Sequence, residues 1–184
     1  MLGAVMNRNT EICTLNARVL IQSELYRFIR LYALFNDIDV NDIGAITKEI
    51  NSGDCGLAAI TVHHILKEKY NLDTDILICR NHCWLAYREG EYDTAFPGGY
   101  TKPVVEVWQG HQNEPAQYLT FQDACDGWMP YDTKGAYMVK AFCAVTWVSF
   151  PKELQHCLDN ADEYEMPGIA EQYEAKCKLV TENM

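Results

Sequence analysis

The stretch NSGDCGLAAITVHHILKEKY, residues 51–70, decides the fold, because it places a Gly-Asp-Cys-Gly cluster at the start of a predicted helix. The apolar residues of the stretch recur at helical spacing and predict an amphipathic helix from about Cys55 to Tyr70. They are Ala58, Val62, Ile65 and Leu66. Asp54 comes immediately before the first helical residue and is a good N-cap. The pattern therefore predicts that Cys55 lies in the first turn of this helix.

A thiol in the first turn of a helix is well placed to act as a nucleophile. The unpaired backbone N–H groups and the positive end of the helix dipole both favour the thiolate. The same N–H groups can stabilise an oxyanion on a substrate carbonyl. Gly53 and Gly56 carry no side chain that would block an approaching substrate. Cys55 is therefore the candidate nucleophile.

The composition is typical of a soluble globular protein that does not bind nucleic acid. Of 184 residues, 48% are hydrophobic, and 15 Lys+Arg against 26 Asp+Glu give a net charge of −11. Nucleic acid is not expected as a partner, because phosphate binding depends on Lys and Arg. The apolar runs are far shorter than the ~20 residues of a membrane span, and MLGAVMNRNTEIC lacks the pattern of a signal peptide. We therefore expect no membrane association, a cytoplasmic location and eight cysteines that are mostly free thiols.

The remaining pattern predicts helices before and after a short sheet. Helices are predicted over 16–36, 40–50, 151–164 and 168–181, and strands over 75–79, 82–87, 91–96, 104–108 and 136–150. Turns are predicted at Arg80-Asn81 and Glu89-Gly90, and residues 109–135 are predicted to be loops around short elements. This order favours an α+β fold in one domain, 1–184, with the cysteine helix packed on an antiparallel sheet. An N-terminal helical part (1–45) and C-terminal helices (151–184) flank a core (46–150).

A thiol nucleophile needs a base, which is usually histidine. His63 and His64 lie too far along the helix, roughly 12–13 Å from its first turn, to serve Cys55. His82 opens the strand HCWLAY and shares a sheet face with Trp84 by the period of two. A third group must orient the base, and Asp93 can emerge on the same sheet face across the predicted turn. A two-residue turn at Glu89-Gly90 places Asp93 opposite Ala86, so the His82–Asp93 contact stays open, with Thr94 as a second candidate. The other histidines, His111 and His156, are weaker candidates.

These residues resemble the core of the transglutaminase-like branch of the papain-like cysteine enzymes. That family has a cysteine at a helix N-terminus, a histidine on a strand and an aspartate on the next strand. Here the matching segments are GDCG, then HCWL from His82, then YDT around Asp93. The resemblance covers roughly residues 50–96. It implies a papain-like fold and a Cys55-His82-Asp93 triad.

The resemblance implies acyl transfer at an amide or ester, with a protein or peptide as the substrate and without a cofactor. Papain-like proteases place a glutamine about six residues before the cysteine, where this chain has Glu49. Asn51 is the candidate stand-in as an oxyanion donor, beside Gly56. Trp84 is a candidate wall of the substrate cleft, although its position fits packing on the sheet face equally.

Two other interpretations stay open at this point. Cys79, His82 and Cys83, with Cys55 or a later cysteine, have ligand types that suit zinc. Alternatively, the triad is catalytically idle and the chain is a protein-binding or inhibitory module on the same scaffold. Surface aromatic residues would then anchor the partner. The candidates are Trp108, Trp128 and Tyr131.

Overall fold

An antiparallel sheet and a set of helices form an α+β fold, as predicted. The computed structural model describes residues 2–100, 102–104 and 115–184, with side chains from residue 16 onward. The described helices are α1 (Leu2–Phe35), α2 (Ile43–Glu49), α3 (Cys55–Tyr70), α4 (Phe121–Trp128), α5 (Thr133–Thr146), α6 (Gln155–Asp159), α7 (Ala161–Tyr164) and α8 (Ile169–Asn183). The strands are β1 (Asp75–Cys79), β2 (His82–Tyr87), β3 (Gly90–Tyr92) and β4 (Gln117–Leu119), and their order in the sheet is β3-β2-β1-β4.

The cysteine helix α3 is the central element of the core. It contacts α1, the sheet, α4 and α5. Ten of its sixteen residues are buried, from Cys55 to Leu66, which is more than one face of an amphipathic surface helix would bury. The helix ends at Asn71, which takes the left-handed conformation that commonly terminates helices. The predicted bounds of this helix are therefore confirmed.

Between α3 and the sheet, the strands divide their side chains by the period of two. Cys83 and Leu85 face the core that contains α3. Trp84 and Ala86 lie on the opposite face, in a smaller cluster with Leu77. β1 and β2 form a hairpin with Cys79 paired to His82, so the predicted turn at Arg80-Asn81 is confirmed.

The prediction of a strand over 136–150 is wrong, because most of this segment belongs to helix α5. Its β-branched and aromatic residues favour a strand locally, but packing against α3 and α8 overrides that preference. The Asp132 carboxylate caps the helix by accepting a hydrogen bond from the Gly135 N–H at 2.8 Å. Trp147, in the left-handed conformation (φ 59°), ends it.

Other predicted bounds change less. The first helix begins at Leu2 instead of residue 16, and the predicted helix over 151–164 is divided into a 3₁₀ turn and two short helices. The strand predicted over 91–96 ends at Tyr92. The strand predicted over 104–108 lies outside the described residues except for Val104. Within the described part of the chain, no helix combines the length and apolarity needed to cross a membrane.

Candidate active site

Three predicted site residues meet where their elements begin or end. Cys55 is the first residue of α3, His82 the first residue of β2, and Asp93 follows the end of β3. His82 Nε2 lies 3.1 Å from Asp93 Oδ2. The side chains of Cys55 and His82 are hydrogen-bonded, and Cys55 Sγ also lies 3.6 Å from the carbonyl oxygen of Asn81. A thiol, an imidazole and a carboxylate therefore form a continuous chain.

The position of the second hairpin turn explains why Asp93 reaches His82. The turn comprises Arg88 and Glu89, one residue earlier than predicted, because Tyr87 pairs with Gly90. Leu85 consequently pairs with Tyr92, and the continued register places Asp93 beside Trp84 instead of Ala86. This shift brings Asp93 one pleat closer to His82, within the range of a diagonal cross-strand contact. The predicted turn at Glu89-Gly90 is therefore wrong, and the correction closes the His82–Asp93 gap.

The Asp93 carboxylate is held by more than the imidazole. Its Oδ1 accepts a hydrogen bond from the Phe96 N–H at 2.9 Å. The Tyr100 hydroxyl donates to both carboxylate oxygens, at 3.2 and 3.1 Å. Asp93 is 4% exposed. These donors fix the carboxylate in place, so it can hold the orientation of His82. Thr94, the second candidate, instead accepts a hydrogen bond from Asn51.

The His82 ring is also held in place by an aromatic contact with Trp84. It stacks on Trp84 with a centroid separation of 5.4 Å and an interplanar angle of 19°. Trp84 Nε1 donates to Glu91 Oε2 at 2.8 Å, and the same oxygen accepts from the Val104 N–H at 2.7 Å. Trp84 is 1% exposed. It therefore supports the imidazole, which fits the predicted packing on the sheet face; its role as a wall of the substrate cleft stays a prediction.

The electrostatic environment favours the charged form of His82. Burial lowers the pKa of the imidazole, but hydrogen bonds and charge interactions with Asp93 and Cys55 outweigh it and raise the pKa to about 9. Since Nε2 faces Asp93, Nδ1 is the nitrogen left to exchange a proton with the thiol. The site can therefore hold an imidazolium at neutral pH.

Most other described thiols are kept protonated by burial. Burial raises the pKa of Cys125, Cys143 and Cys177 to about 12 and that of Cys157 to about 11. Burial and the neighbouring Cys55 raise the pKa of Cys83 well above the ordinary range. These thiols are therefore poor nucleophiles.

The segment before α3 differs from the predicted cap. Residues Ile50–Asp54 form a π-helical turn that leads into the helix. Asp54 occupies the N-cap position, but its carboxylate makes no cap hydrogen bond and instead accepts one from the Tyr32 hydroxyl at 2.5 Å. Asp54 is therefore the N-cap residue, as predicted, but its side chain does not make the cap hydrogen bond. As a result, the Asp54 carboxylate does not compete with a substrate for the first N–H groups of α3.

The two glycines of the cluster differ in their surroundings. A Cβ on Gly53 would meet no atom within 4 Å, which fits the predicted open approach. A Cβ on Gly56 would lie 2.1–2.2 Å from three ring atoms of Trp128. Gly56 therefore makes room for the Trp128 indole, which occupies the space beside it in this conformation.

Asn51 bridges the π turn to the loop that carries Asp93. Its Nδ2 donates to the Thr47 carbonyl oxygen at 2.8 Å and to Thr94 Oγ1 at 3.1 Å. Its Oδ1 is buried without a hydrogen-bond partner in the described structure. Asn51 and Cys55 both line a cavity of about 10 Å³, roughly the space of a single water molecule. The amide nitrogen is thus already engaged, which leaves Asn51 as a bridge and not as a free oxyanion donor.

The zinc interpretation fails on the geometry of the sheet. Cys79 and His82 are cross-strand partners and share a face, whereas Cys83 faces the other side. Among the described side chains, no group of three His, Cys, Asp or Glu residues could hold a metal ion. The seven cysteines in that part of the chain carry free thiols.

The other described histidines have separate partners. His63 Nδ1 lies 3.0 Å from Thr74 Oγ1, and His64 Nε2 lies 2.8 Å from the Ser149 carbonyl oxygen. His156 Nε2 lies 2.9 Å from the Pro130 carbonyl oxygen. His111 and Trp108 lie outside the described residues.

Sequence reasoning missed three residues of the site: Tyr100, Glu91 and Trp128. Glu91 and Asp93 alternate along one strand, and that period of two was a usable signal for a carboxylate near Trp84. Tyr100 and Trp128 come from loop and helix packing, which no local pattern encodes. Comparisons of the chain with protein-family models, curated proteins and solved structures found no match.

Proposed function

We propose that this chain is a cysteine-dependent acyl-transfer enzyme on a papain-like, transglutaminase-like scaffold, acting on an amide or ester of a protein or peptide. The observation that carries the proposal is the hydrogen-bonded chain from Cys55 through His82 to Asp93. Three side chains from separate elements meet in the order that thiol catalysis needs. The position of the thiol at the start of α3, packed on the sheet, supports the scaffold assignment.

The first half-reaction forms a thioester. In the thiolate–imidazolium pair the Cys55 proton already lies on His82 Nδ1, and the sulfur attacks the substrate carbonyl carbon. The first N–H groups of α3 stabilise the oxyanion of the tetrahedral intermediate. The carbon–nitrogen or carbon–oxygen bond then breaks, and the leaving group takes the proton from His82. Asp93 keeps the hydrogen bond to Nε2 throughout, which holds the ring orientation and stabilises the imidazolium.

The second half-reaction regenerates the thiol. A water molecule or an amine gives its proton to His82 and attacks the thioester carbonyl, and the carbon–sulfur bond breaks as the sulfur regains that proton. Water as the acceptor makes the enzyme a peptidase or deamidase, and an amine makes it a transglutaminase-like amidase. Because the pKa of His82 is raised, its ring is protonated at neutral pH and can give the leaving group its proton.

An activated ester tests the proposal without knowledge of the substrate. We would treat the protein with p-nitrophenyl acetate, follow the nitrophenolate burst, and locate the acetyl group by mass spectrometry. We expect rapid acetylation of Cys55 that is lost in Cys55→Ala and strongly slowed in His82→Ala. A Cys143→Ala control, which removes a buried thiol, should retain the burst. Acetylation of Cys55 at the same rate in the protein and in His82→Ala would refute the proposal.

One observation favours a second candidate, a binding module with an idle triad. Cys55 is 3% exposed and His82 and Asp93 are each 4% exposed, so the triad is closed to a large substrate in this conformation. Tyr131, a predicted partner anchor, is 68% exposed. An inert Cys55 in the ester experiment would favour this candidate.

A further inference from the structure

Trp128 lies across the helix start that carries the candidate nucleophile. Its indole packs on Gly56, the residue after Cys55. Its Nε1 donates to the carbonyl oxygen of Gly53, two residues before Cys55, at 3.3 Å. The indole therefore contacts the chain on both sides of the cysteine, and Cys55 is 3% exposed.

The fit of the indole depends on the missing side chain at position 56. A Cβ there would come within 2.1–2.2 Å of Cγ, Cδ1 and Cδ2 of the ring. No L side chain can be accommodated at that separation without displacing the indole. The Trp128 indole thus lies against the backbone from Gly53 to Gly56, beside one backbone acceptor, the Gly53 carbonyl oxygen. We call the space that the indole occupies there the slot.

The contacts of Trp128 are those that a bound peptide would make. An indole N–H donates to the Gly53 carbonyl as a peptide N–H would, and the ring fills the place of a flat side chain. Trp128 is the last residue of the eight-residue helix α4, and its ring is partly exposed. The 3.3 Å hydrogen bond is longer than the usual 2.9–3.0 Å, so the interaction is one that a ligand can replace.

We propose, resting on the proposed function, that the slot between Gly53 and Gly56 is a substrate subsite and that Trp128 fills it in the free protein. The ligand class is a peptide with an aromatic or other flat apolar side chain. Its N–H donates to the Gly53 carbonyl while its side chain lies over Gly56. Trp128 is then the residue that selects what reaches Cys55.

Two variants disturb the slot by opposite routes. Trp128→Ala removes the indole, and Gly56→Ala pushes it out of the slot. We would measure alkylation of Cys55 by mass spectrometry, with iodoacetamide as the small reagent and a fluorescein maleimide as the bulky one. Both variants should raise the rate with the bulky reagent about tenfold or more, and the rate with iodoacetamide by less. Trp147→Ala, which removes a 95% exposed indole, and Gly127→Ala, whose Cβ would meet no atom within 4 Å, should leave both rates unchanged.

Ligand protection tests the chemical class of the subsite. In Trp128→Ala, N-acetylphenylalaninamide should slow the alkylation of Cys55 more than N-acetylalaninamide does. Trp128→Phe, which keeps a ring but loses the N–H, should give an intermediate rate and covers the case in which Trp128→Ala does not fold. Equal protection by the two amides, or an unchanged rate in Trp128→Phe and Gly56→Ala, would overturn the subsite.

The proposed function and the subsite fail separately in these experiments. Dependence of the Cys55 rate on His82 reports on the triad, and dependence on Trp128 reports on the slot. A Trp128 effect on a Cys55 rate that is the same with and without His82 would support the slot while the triad proposal fails. A His82 effect without a Trp128 effect would overturn the slot alone.

Discussion

Two buried histidines, one on α3 and one at the start of β2, have surroundings that favour opposite charge states. His63, on the helix itself, lies 3.0 Å from the Thr74 hydroxyl, and burial lowers its pKa. His82, the first residue of β2, lies 3.1 Å from the Asp93 carboxylate, and its pKa is raised to about 9 although burial opposes this. Burial by itself produces a neutral imidazole. A buried carboxylate and a thiol convert the same residue into an imidazolium.

The largest expected effect comes from removing the carboxylate that distinguishes the two histidines. In Asp93→Asn, burial of His82 is opposed by Cys55 alone, so its pKa should fall from about 9 toward the ordinary 6.5. Alkylation of Cys55 at pH 7 should slow by up to about 10²-fold, because each unit by which the pKa of His82 falls favours the neutral thiol–imidazole pair over the thiolate–imidazolium pair tenfold. An NMR titration of the His82 ring and the alkylation rate would measure the two effects. In Asp73→Asn, a change at an exposed carboxylate, both should remain as they are.

The same variant should change stability in a pH-dependent way. Since the folded-state pKa of His82 lies above its unfolded value, the imidazolium stabilises the fold fully below pH 6.5. This contribution is lost as the pH rises through about 9. The difference in the free energy of unfolding between the protein and Asp93→Asn should therefore be larger at pH 6 than at pH 10, by urea denaturation. A difference that grows with pH would contradict the assignment of charge to His82.

A carboxylate placed beside His63 should reduce the difference in pKa between His63 and His82 by raising the pKa of His63. Thr74 is buried next to the His63 ring, and Thr74→Asp should raise the pKa of His63 above its value in the parent protein. Cys55 alkylation should stay within about twofold, because His63 lies more than two helical turns from the thiol. The NMR titration of His63 in Thr74→Asp would test this, with Thr74→Asn as the uncharged control. No rise relative to Thr74→Asn would show that burial dominates at this site even beside a carboxylate.

The smallest expected effect comes from removing the Tyr100 hydroxyl, which adjusts the interaction between the Asp93 carboxylate and His82. Tyr100→Phe removes a hydroxyl that donates to both oxygens of Asp93, while the Phe96 N–H remains. The carboxylate then interacts more strongly with His82, so the pKa of His82 should rise slightly and Cys55 alkylation should change by less than about threefold. The His82 titration would measure the direction. A fall in the pKa would show that Tyr100 acts chiefly by holding Asp93 in position.

Local patterns predicted α3 well, because its start and end both depend on nearby residues. The Gly-Asp-Cys-Gly cluster and Asn71 mark its ends, and tertiary packing does not move them. The first hairpin was equally predictable, since a two-residue turn between two apolar runs fixes the register. These elements alone place Cys55 near His82.

The His82–Asp93 contact was harder to predict, because it depends on whether Gly90 lies in the turn or in the strand. Gly90 resembles a turn glycine, but Arg88 takes the positive φ of 54° while Gly90 pairs in the strand. A Cβ on Gly90 would lie 2.5 Å from the Tyr92 hydroxyl oxygen, so the glycine serves close packing of a ring. Gly56 does the same for Trp128. A single sequence does not separate a glycine needed for a turn from one needed for a close approach.

The wrong prediction for α5 has a different cause. Its residues favour a strand in isolation, and the helix is stabilised by burial of Tyr137, Val139 and Phe142 against distant elements. The Asp132 cap is a local signal for the start of this helix that the sequence analysis did not use. Local preferences for strand or helix are weak, and tertiary packing readily overrides them.

The most direct test of the account is the pH dependence of Cys55 alkylation in the protein and in His82→Ala. Limiting iodoacetamide between pH 5 and 9, with all eight cysteines mapped by mass spectrometry, resolves the rate at each thiol. We expect Cys55 to react faster than every other cysteine below pH 7 and to lose that advantage in His82→Ala. A Cys55 that is inert, or that reacts like an ordinary thiol with and without His82, would contradict it.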